Sequence, residues 1–376
     1  MTLLINQLDE HNESGIVYIT KNKVDEVLFL YDKDQQQLMN SIEDYYSLNF
    51  LDIKFYKQCV DEGDIEKIKS IIENYNSKKI VINLTGGKRI NSLILLNICK
   101  EKNLDNFYID IKKKYSYYFA EGILKKREEI EDLDLVAIIK GFGGNIVEDS
   151  YDLCLKEDLI YFSKQIYKNL DCWSKNKQKL YDNSIFIHEE NNPEIIHIDF
   201  SSLTEEDKNL INKILIKMKQ MKEISFSKEG NKIKVHFLNE YIKGFIFKSG
   251  TWLEIATNNL LKEIKEIDES RNGVVFLWNN NKQTVRNELD VIAVKDSVPI
   301  CISCKDSDKY NEMALNELNV YANKIGGKDV YKILVATKEP IKEAVKIRAK
   351  EMGIHLVIFD GNEEKFINTV REIIKN

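Results

Sequence analysis

Two stretches of the sequence carry side chains whose types and spacing could do chemistry. The first is Asn287-Glu288-Leu289-Asp290-Val291-Ile292-Ala293-Val294, followed by Cys301-Ile302-Ser303-Cys304-Lys305. Both runs read as strands, and residues 295–298 between them read as the turn of a hairpin. Residues two apart in a strand share a face, which puts Glu288 with Asp290 and Ser303 with Lys305. An acid pair and a lysine then gather on a hairpin whose other positions are apolar. Cleaving a phosphodiester takes hard oxygen ligands for Mg²⁺ or Mn²⁺ and a cation beside the attacking water or the phosphate. This set offers both, although a solvated hairpin with an ordinary ion pair would use the same residues. Gly250-Thr251-Trp252-Leu253-Glu254 opens a helix ahead of the hairpin, so Glu254 can add a carboxylate.

The second stretch is Ile80-Val81-Ile82-Asn83-Leu84-Thr85-Gly86-Gly87-Lys88-Arg89-Ile90, a strand that runs through a Gly-Gly turn into a helix. Paired glycines let a backbone approach a ligand closely, and a helix N-terminus presents free N–H donors and a positive dipole end. With the Thr85 hydroxyl and the charges of Lys88 and Arg89, the turn suits a phosphate; a plain tight turn is the alternative. The spacing fits neither the Walker A loop nor the dinucleotide fingerprint. Other features carry less. Cys301-x-x-Cys304 lies in a strand-like run, where i and i+3 point apart, and no second pair of cysteines completes a zinc site. The five histidines are scattered. Tyr115, Tyr117, Tyr118 and Phe119, next to Lys112–Lys114, fit a strand facing the core or a partner better than a base-stacking platform.

The elements around these stretches fall into a pattern. Up to about residue 115, strand-like runs (3–8, 26–31, 53–55, 79–84, 107–111) alternate with helix-like segments (35–46, 64–75, 90–100), and 115–119 follows as a strand. Such alternation with short connections indicates a mostly parallel α/β sheet. Residues 12–14 read as a loop, and 121–150 change character, with an acidic cluster and three glycines. Residues 158–177 and 204–223 read as helices, the latter capped by Thr204, and 232–237 and 244–247 as strands. A second α/β pattern starts near residue 250, with a helix at 252–264, a strand at 273–278, the hairpin, and then helix, strand, helix, strand and helix to the end.

Composition narrows the classes. The chain has 376 residues, 43% of them apolar and 31% charged, which is enough for folded cores and suggests two domains or three small ones. No apolar run approaches the length of a membrane span, so no membrane association is expected. The N-terminus meets Asp9 and Glu10 with no basic region before them, and six cysteines do not make a disulfide framework, so a reducing cytoplasm is the expected location. A net charge of −6 excludes a globally basic nucleic-acid coat but not a local basic groove.

Two family resemblances attach to these residues. Asn83-Leu84-Thr85-Gly86-Gly87-Lys88-Arg89 resembles the signature turn of CRISPR-associated Rossmann-fold (CARF) sensor domains. That resemblance implies a homodimer that binds a cyclic oligoadenylate, such as cyclic tetra-adenylate, over the carboxyl ends of the strands. Its ligand residues would be Thr85, Gly86, Gly87, Lys88 and Arg89, with Asn6, Gln7, Asn12 and Ser14 after the first strand. Trp-Leu-Glu, Asn-Glu-Leu-Asp-Val, Ser-Cys-Lys and Ile-Gly-Gly, in that order, resemble PD-(D/E)xK nucleases fused to CARF sensors, the activator-dependent ancillary nucleases of type III CRISPR systems. Carried over, Glu254 and Asp290 would be metal ligands, joined by the backbone carbonyl of Cys304. Lys305 would be the catalytic lysine and Glu288 an accessory acid. The usual acid two residues before the lysine is Ser303 here, and a hydroxyl is a poor Mg²⁺ ligand beside a carboxylate.

The resemblance implies an α/β chain with a Rossmann-like CARF domain over 1–148 and a restriction-endonuclease-like domain over 246–376; residues 149–245 carry little of it and read as a connecting helical and strand region, either a small module of its own or an elaboration of the last domain. The expected activity is cyclic-oligoadenylate-activated, Mn²⁺- or Mg²⁺-dependent cleavage of RNA, DNA or both. The alternative is a regulatory nucleic-acid-binding protein whose nuclease fold is inactive.

Overall fold

In the computed structural model the apolar runs Leu3-Leu4-Ile5, Val27-Leu28-Phe29 and Ile80-Val81-Ile82 are all buried, as a parallel sheet covered on both faces requires. The structure describes residues 1–121, 123–248, 250–278 and 286–375. The first strands are β1 (Thr2–Gln7), β2 (Glu26–Tyr31), β3 (Lys54–Cys59), β4 (Lys79–Asn83) and β5 (Asp105–Asp110), followed by β6 (Tyr115–Ala120) and β7 (Ile123–Glu129). They form one sheet in the order β3-β2-β1-β4-β5-β6-β7, parallel through β5 and antiparallel after it. The chain winds outward from β1 in one direction and from β4 in the other. The carboxyl ends of β1 and β4 therefore flank the switch point, where open α/β sheets leave a crevice.

Next come β8 (Gly144–Glu148), β9 (Phe186–His188), β10 (Ile195–Asp199), β11 (Ile224–Glu229) and β12 (Lys232–Phe237), and then β13 (Glu269–Trp278), β14 (Asn287–Lys295), β15 (Val298–Lys305), β16 (Tyr331–Ala336) and β17 (Ile354–Ile358). The middle sheet is antiparallel, in the order β11-β12-β10-β9. Helix Glu205–Gln220 precedes its edge strand, with the Thr204 hydroxyl accepting from Asp207 N at 3.2 Å. The last sheet runs β17-β16-β15-β14-β13-β8, with β15 to β17 parallel.

Several expectations change. Residues 12–14 are not a solvated loop: Asn12, Glu13 and Ser14 are buried where helix Glu13–Lys21 begins. Residues 244–247 are helical rather than extended. Asn239 caps helix Glu240–Phe247 by accepting from Ile242 N at 3.1 Å, and Ile242 and Phe245 bury one face at helical spacing. The boundary at 148 also moves, because Gly144–Glu148 completes the edge of β13 and belongs to the last sheet. Residues from about 150 onward share one apolar core with that sheet, joining Leu159, Ile196 and Val235 to Trp252, Val291 and Ile302. The middle region is thus packed into the C-terminal unit rather than strung between two others.

The sensor-like sheet is tied to the far end of the hairpin. Lys114 Nζ reaches Asp296 at 2.8 Å and Asp132 at 2.9 Å, and Leu133 N donates to Ser297 Oγ at 2.8 Å. Asp296 and Ser297 form the β14–β15 turn, both with positive φ, as a two-residue hairpin loop of the primed type requires. No helix among the described residues is long and apolar enough to cross a membrane.

A buried carboxylate, Asp306, locks the near end. Its Oδ2 accepts from the indoles of Trp173 at 2.7 Å and Trp252 at 3.0 Å, and its Oδ1 accepts from Thr337 at 2.9 Å and meets Lys177 Nζ at 2.8 Å. One side chain thereby joins the middle region, the helix that carries Glu254 and the end of β15. Asp306→Ala strips four donors of their acceptor and leaves the Lys177 charge without its partner. We expect a loss of about 3–5 kcal/mol in urea unfolding; a loss below about 1 kcal/mol would contradict this role.

Candidate functional site

The hairpin register pairs Val291 with Ile302, and the ladder stops there, which frees the strands to present side chains beyond it. Asp290 uses that freedom. Its Oδ2 accepts from Ser303 Oγ at 3.0 Å and from Cys304 N at 2.6 Å, and it lies 3.5 Å from Lys305 Nζ. Its Oδ1 has no hydrogen-bond partner among the described residues. The acid and the lysine expected to meet do meet, with Ser303 as the donor that fixes the acid.

Glu254 lies half-buried in the first turn of helix Thr251–Leu261. Its pKa is raised to about 8, chiefly by burial and then by the charges of Asp290 and Glu288, with Lys305 and Lys248 opposing them. Glu254, Asp290 and Glu288 thus feel one another's charge, although Glu288 is exposed. Cys304 offers no thiolate: burial pushes its thiol well above the ordinary value, and its Sγ lies 3.6 Å from Thr257 Oγ1. Only its backbone remains available to the site.

Among the described residues no three His, Cys, Asp or Glu side chains converge into a ready-made metal group. The donors still suit a hard divalent cation. Two carboxylates repel each other, one of them has an unused oxygen, and a main-chain carbonyl is nearby. Glu254, Asp290 and the Cys304 carbonyl are the groups that could hold it.

At the other end of the molecule, Asn83 is the hub of the glycine turn. Its Nδ2 donates to Asn6 Oδ1 and Ser14 Oγ, both at 2.9 Å, and its Oδ1 accepts from Thr85 N at 3.0 Å. The Thr85 hydroxyl accepts from Ile109 N at 2.9 Å. Asn12 spends its amide on Asp9 O and Gly141 O, and its Oδ1 on Asp9 N. Asn6 and Ser14 therefore build the turn from beneath, through Asn83, while Asn12 ties the loop after β1 to Gly141. The exposed groups of the turn are Lys88 and Arg89, with Gly86 and Gly87 half-buried beside them.

Gly87 has φ +86, and a Cβ there would come within 2.4 Å of Gln7 Cβ, so only glycine fits over Gln7. Gln7 Oε1 is buried with no partner, and Gly87 N donates to Asp9 Oδ2 at 2.9 Å. Asp9 thus sits where an incoming anion would be received. The sequence reading passed over Asp9 and Asn83, although Asn83 stands inside the motif at the carboxyl end of β4.

Comparison with known proteins adds to this geometry. Residues 242–376 match the family model of the Card1-like endonuclease domain. No curated protein matches the chain. The fold is similar to protein VC1899 from Vibrio cholerae (TM-score 0.75, 16% identity, 100% of this chain and 98% of that one). It is also similar to Can2 from Sulfobacillus thermosulfidooxidans, solved in complex with cyclic tetra-adenylate (TM-score 0.72, 16% identity, 100% and 99%). A third similar structure is a type III CRISPR defence DNA nuclease activated by cyclic oligoadenylate (TM-score 0.55, 13% identity, 89% and 45%). At these identities the likeness is one of fold, and it is the two-part α/β architecture expected from the sequence.

The Glu254 carboxyl keeps its proton up to about pH 8 when folded and releases it near the ordinary 4.5 when unfolded. The stability this protonation gives the metal-free chain is complete below the unfolded value and disappears as the pH rises through the folded one. In EDTA, Glu254→Gln should raise Tm over the unsubstituted chain at about pH 9, with the gap closing by about pH 5. A gap that does not change with pH would contradict this environment for Glu254.

Proposed function

We propose that this chain, whose residues 242–376 match the Card1-like endonuclease domain family model, is a metal-dependent endonuclease switched on by a cyclic oligoadenylate. The observation that carries the reading is the meeting of Asp290, Lys305 and Glu254 within the segment that matches the endonuclease family. The Rossmann-like sheet with its Gly86-Gly87 turn supports the sensor half, as does the fold shared with a protein solved bound to cyclic tetra-adenylate. The active form is a homodimer, in which a two-fold symmetric ring would lie across an isologous interface. It works in type III CRISPR defence, in a reducing cytoplasm that six free cysteines suit.

Asp290, held by Ser303 and the Cys304 amide, keeps one oxygen free for a cation. Glu254 is the second ligand, and a cation's charge would offset the burial and the neighbouring carboxylate charges that raise its pKa. Mn²⁺ or Mg²⁺ would supply Lewis-acid activation of water at this site. Lys305 places a positive charge beside Asp290, where it orients the attacking water or stabilises the negative charge that develops on the phosphate. Ser303 takes the place of a third acid and contributes a hydrogen bond instead, so the site binds its cation with two carboxylates. Glu288, exposed at the rim, adds negative potential. The substrate is RNA, DNA or both.

A second reading follows from Ser303 and from the absence of a three-acid group among the described residues. In it the C-terminal fold binds nucleic acid without cutting it. Asp290→Asn and Lys305→Ala, each saturated with activator and Mn²⁺, separate the two. The nuclease reading expects cleavage to fall by about 100-fold or more in both variants, with activator binding by calorimetry unchanged. Cleavage at the unsubstituted rate in both would place the active site elsewhere. A chain that shifts nucleic acid in a gel in EDTA and never yields products would establish the binder.

A further inference from the structure

Over the glycine turn lies a cavity of about 370 Å³ whose walls include Asp9, Glu10, Asp34, Gln35, Gly87 and Lys88. One wall comes from the other half of the molecule: Lys324, in the last turn of helix Glu312–Gly326. That helix packs against β15 and β16. Its end is wedged between the sensor and the catalytic hairpin. A Cβ on Gly327, which has φ +60, would come within 3.0 Å of His11 Nε2, and one on Gly326 within 3.0 Å of Pro299 Cγ. His11 belongs to the loop after β1 that carries Asp9, and Pro299 opens the strand that ends at Lys305.

The charges in this cavity are unevenly committed. Asp9 spends Oδ2 on Gly87 N at 2.9 Å and Oδ1 on Glu10 N at 2.7 Å. Neither Lys88 nor Lys324 has an ion-pair partner among the described residues, and Lys324 is exposed. An anion arriving here would replace Asp9 on the Gly87 N–H and meet two uncommitted cations, one on each half of the chain, with the exposed carboxylates of Glu10 and Asp34 also on the wall. Charge-assisted bonds of this kind are the strong ones.

We infer that Lys324 is a phosphate-contacting residue of the activator cavity, supplied by the nuclease half, so that the bound phosphodiester pulls directly on the helix against which the Lys305 strand packs. The inference rests on the reading that the activator is a cyclic oligonucleotide. A ligand that contacts this helix binds the arrangement of the halves that brings Lys324 closest, and that difference in affinity is what an effector needs to shift a population.

The test is calorimetry of the full chain with cyclic tetra-adenylate as the probe, comparing Lys324→Ala, Lys324→Arg, Lys88→Ala and Lys350→Ala. Lys350 is an exposed lysine of helix Glu343–Glu351 and controls for a change of net charge alone. Lys324→Ala should weaken binding by about tenfold or more. Lys324→Arg should restore most of it, and Lys350→Ala should leave it unchanged. The concentration of activator needed for half-maximal cleavage should move with the affinity. Unchanged binding in Lys324→Ala, with Lys88→Ala weakened, would overturn the role of Lys324 and leave the sensor reading standing. No binding by the unsubstituted chain would overturn the sensor reading, and this inference with it.

Discussion

One carboxylate oxygen, Asp290 Oδ2, takes a hydroxyl, a main-chain amide and an ammonium group from three successive residues, Ser303, Cys304 and Lys305. An acid gripped in this way cannot rotate without losing all three partners, so its free oxygen points where the fold directs it. The rest of the C-terminal half serves that constraint. The ladder ends at Val291 and Ile302, which frees Asp290 to reach across the hairpin. Helix Thr251–Leu261 buries Glu254 within reach of the Asp290 charge, and the two effects, burial first, raise its proton affinity. Asp306, one residue beyond Lys305, ties that helix to the strand through Trp252.

The two ends of the hairpin have different owners. The turn at Asp296 and Ser297 is held by Lys114 and by Leu133 N of the sensor half. The near end, at Asp306, is held by Trp173 and Lys177 of the middle region. The hairpin strands are therefore clamped between parts of the chain that lie far apart in sequence.

Much of this was legible in the sequence. Glu288–Val294, Pro299–Lys305 and the run from Ile80 to Ile90 declare themselves because strand periodicity and turn residues coincide with charged side chains. Helix Glu13–Lys21 did not, because Glu13 and Ser14 read as polar loop residues until the fold buries them beside Asn83 and Gly141. The strand Gly144–Glu148 read as a glycine-rich boundary because its partner, β13, lies more than a hundred residues on. Asp306 carries no local signal; its role depends on two tryptophans and a lysine that only the fold brings to it. Local pattern therefore revealed the acid–lysine pair, and what holds it in place comes from long-range partners.

The most direct measurement of the central claim is cleavage by the unsubstituted chain. Labelled single-stranded RNA, single-stranded DNA and supercoiled plasmid would each be incubated with and without Mn²⁺ and with and without cyclic tetra-adenylate. The account predicts products only when both are present, on at least one of the substrates. Products that appear equally without the activator, or no products under any condition while the activator binds, would contradict it.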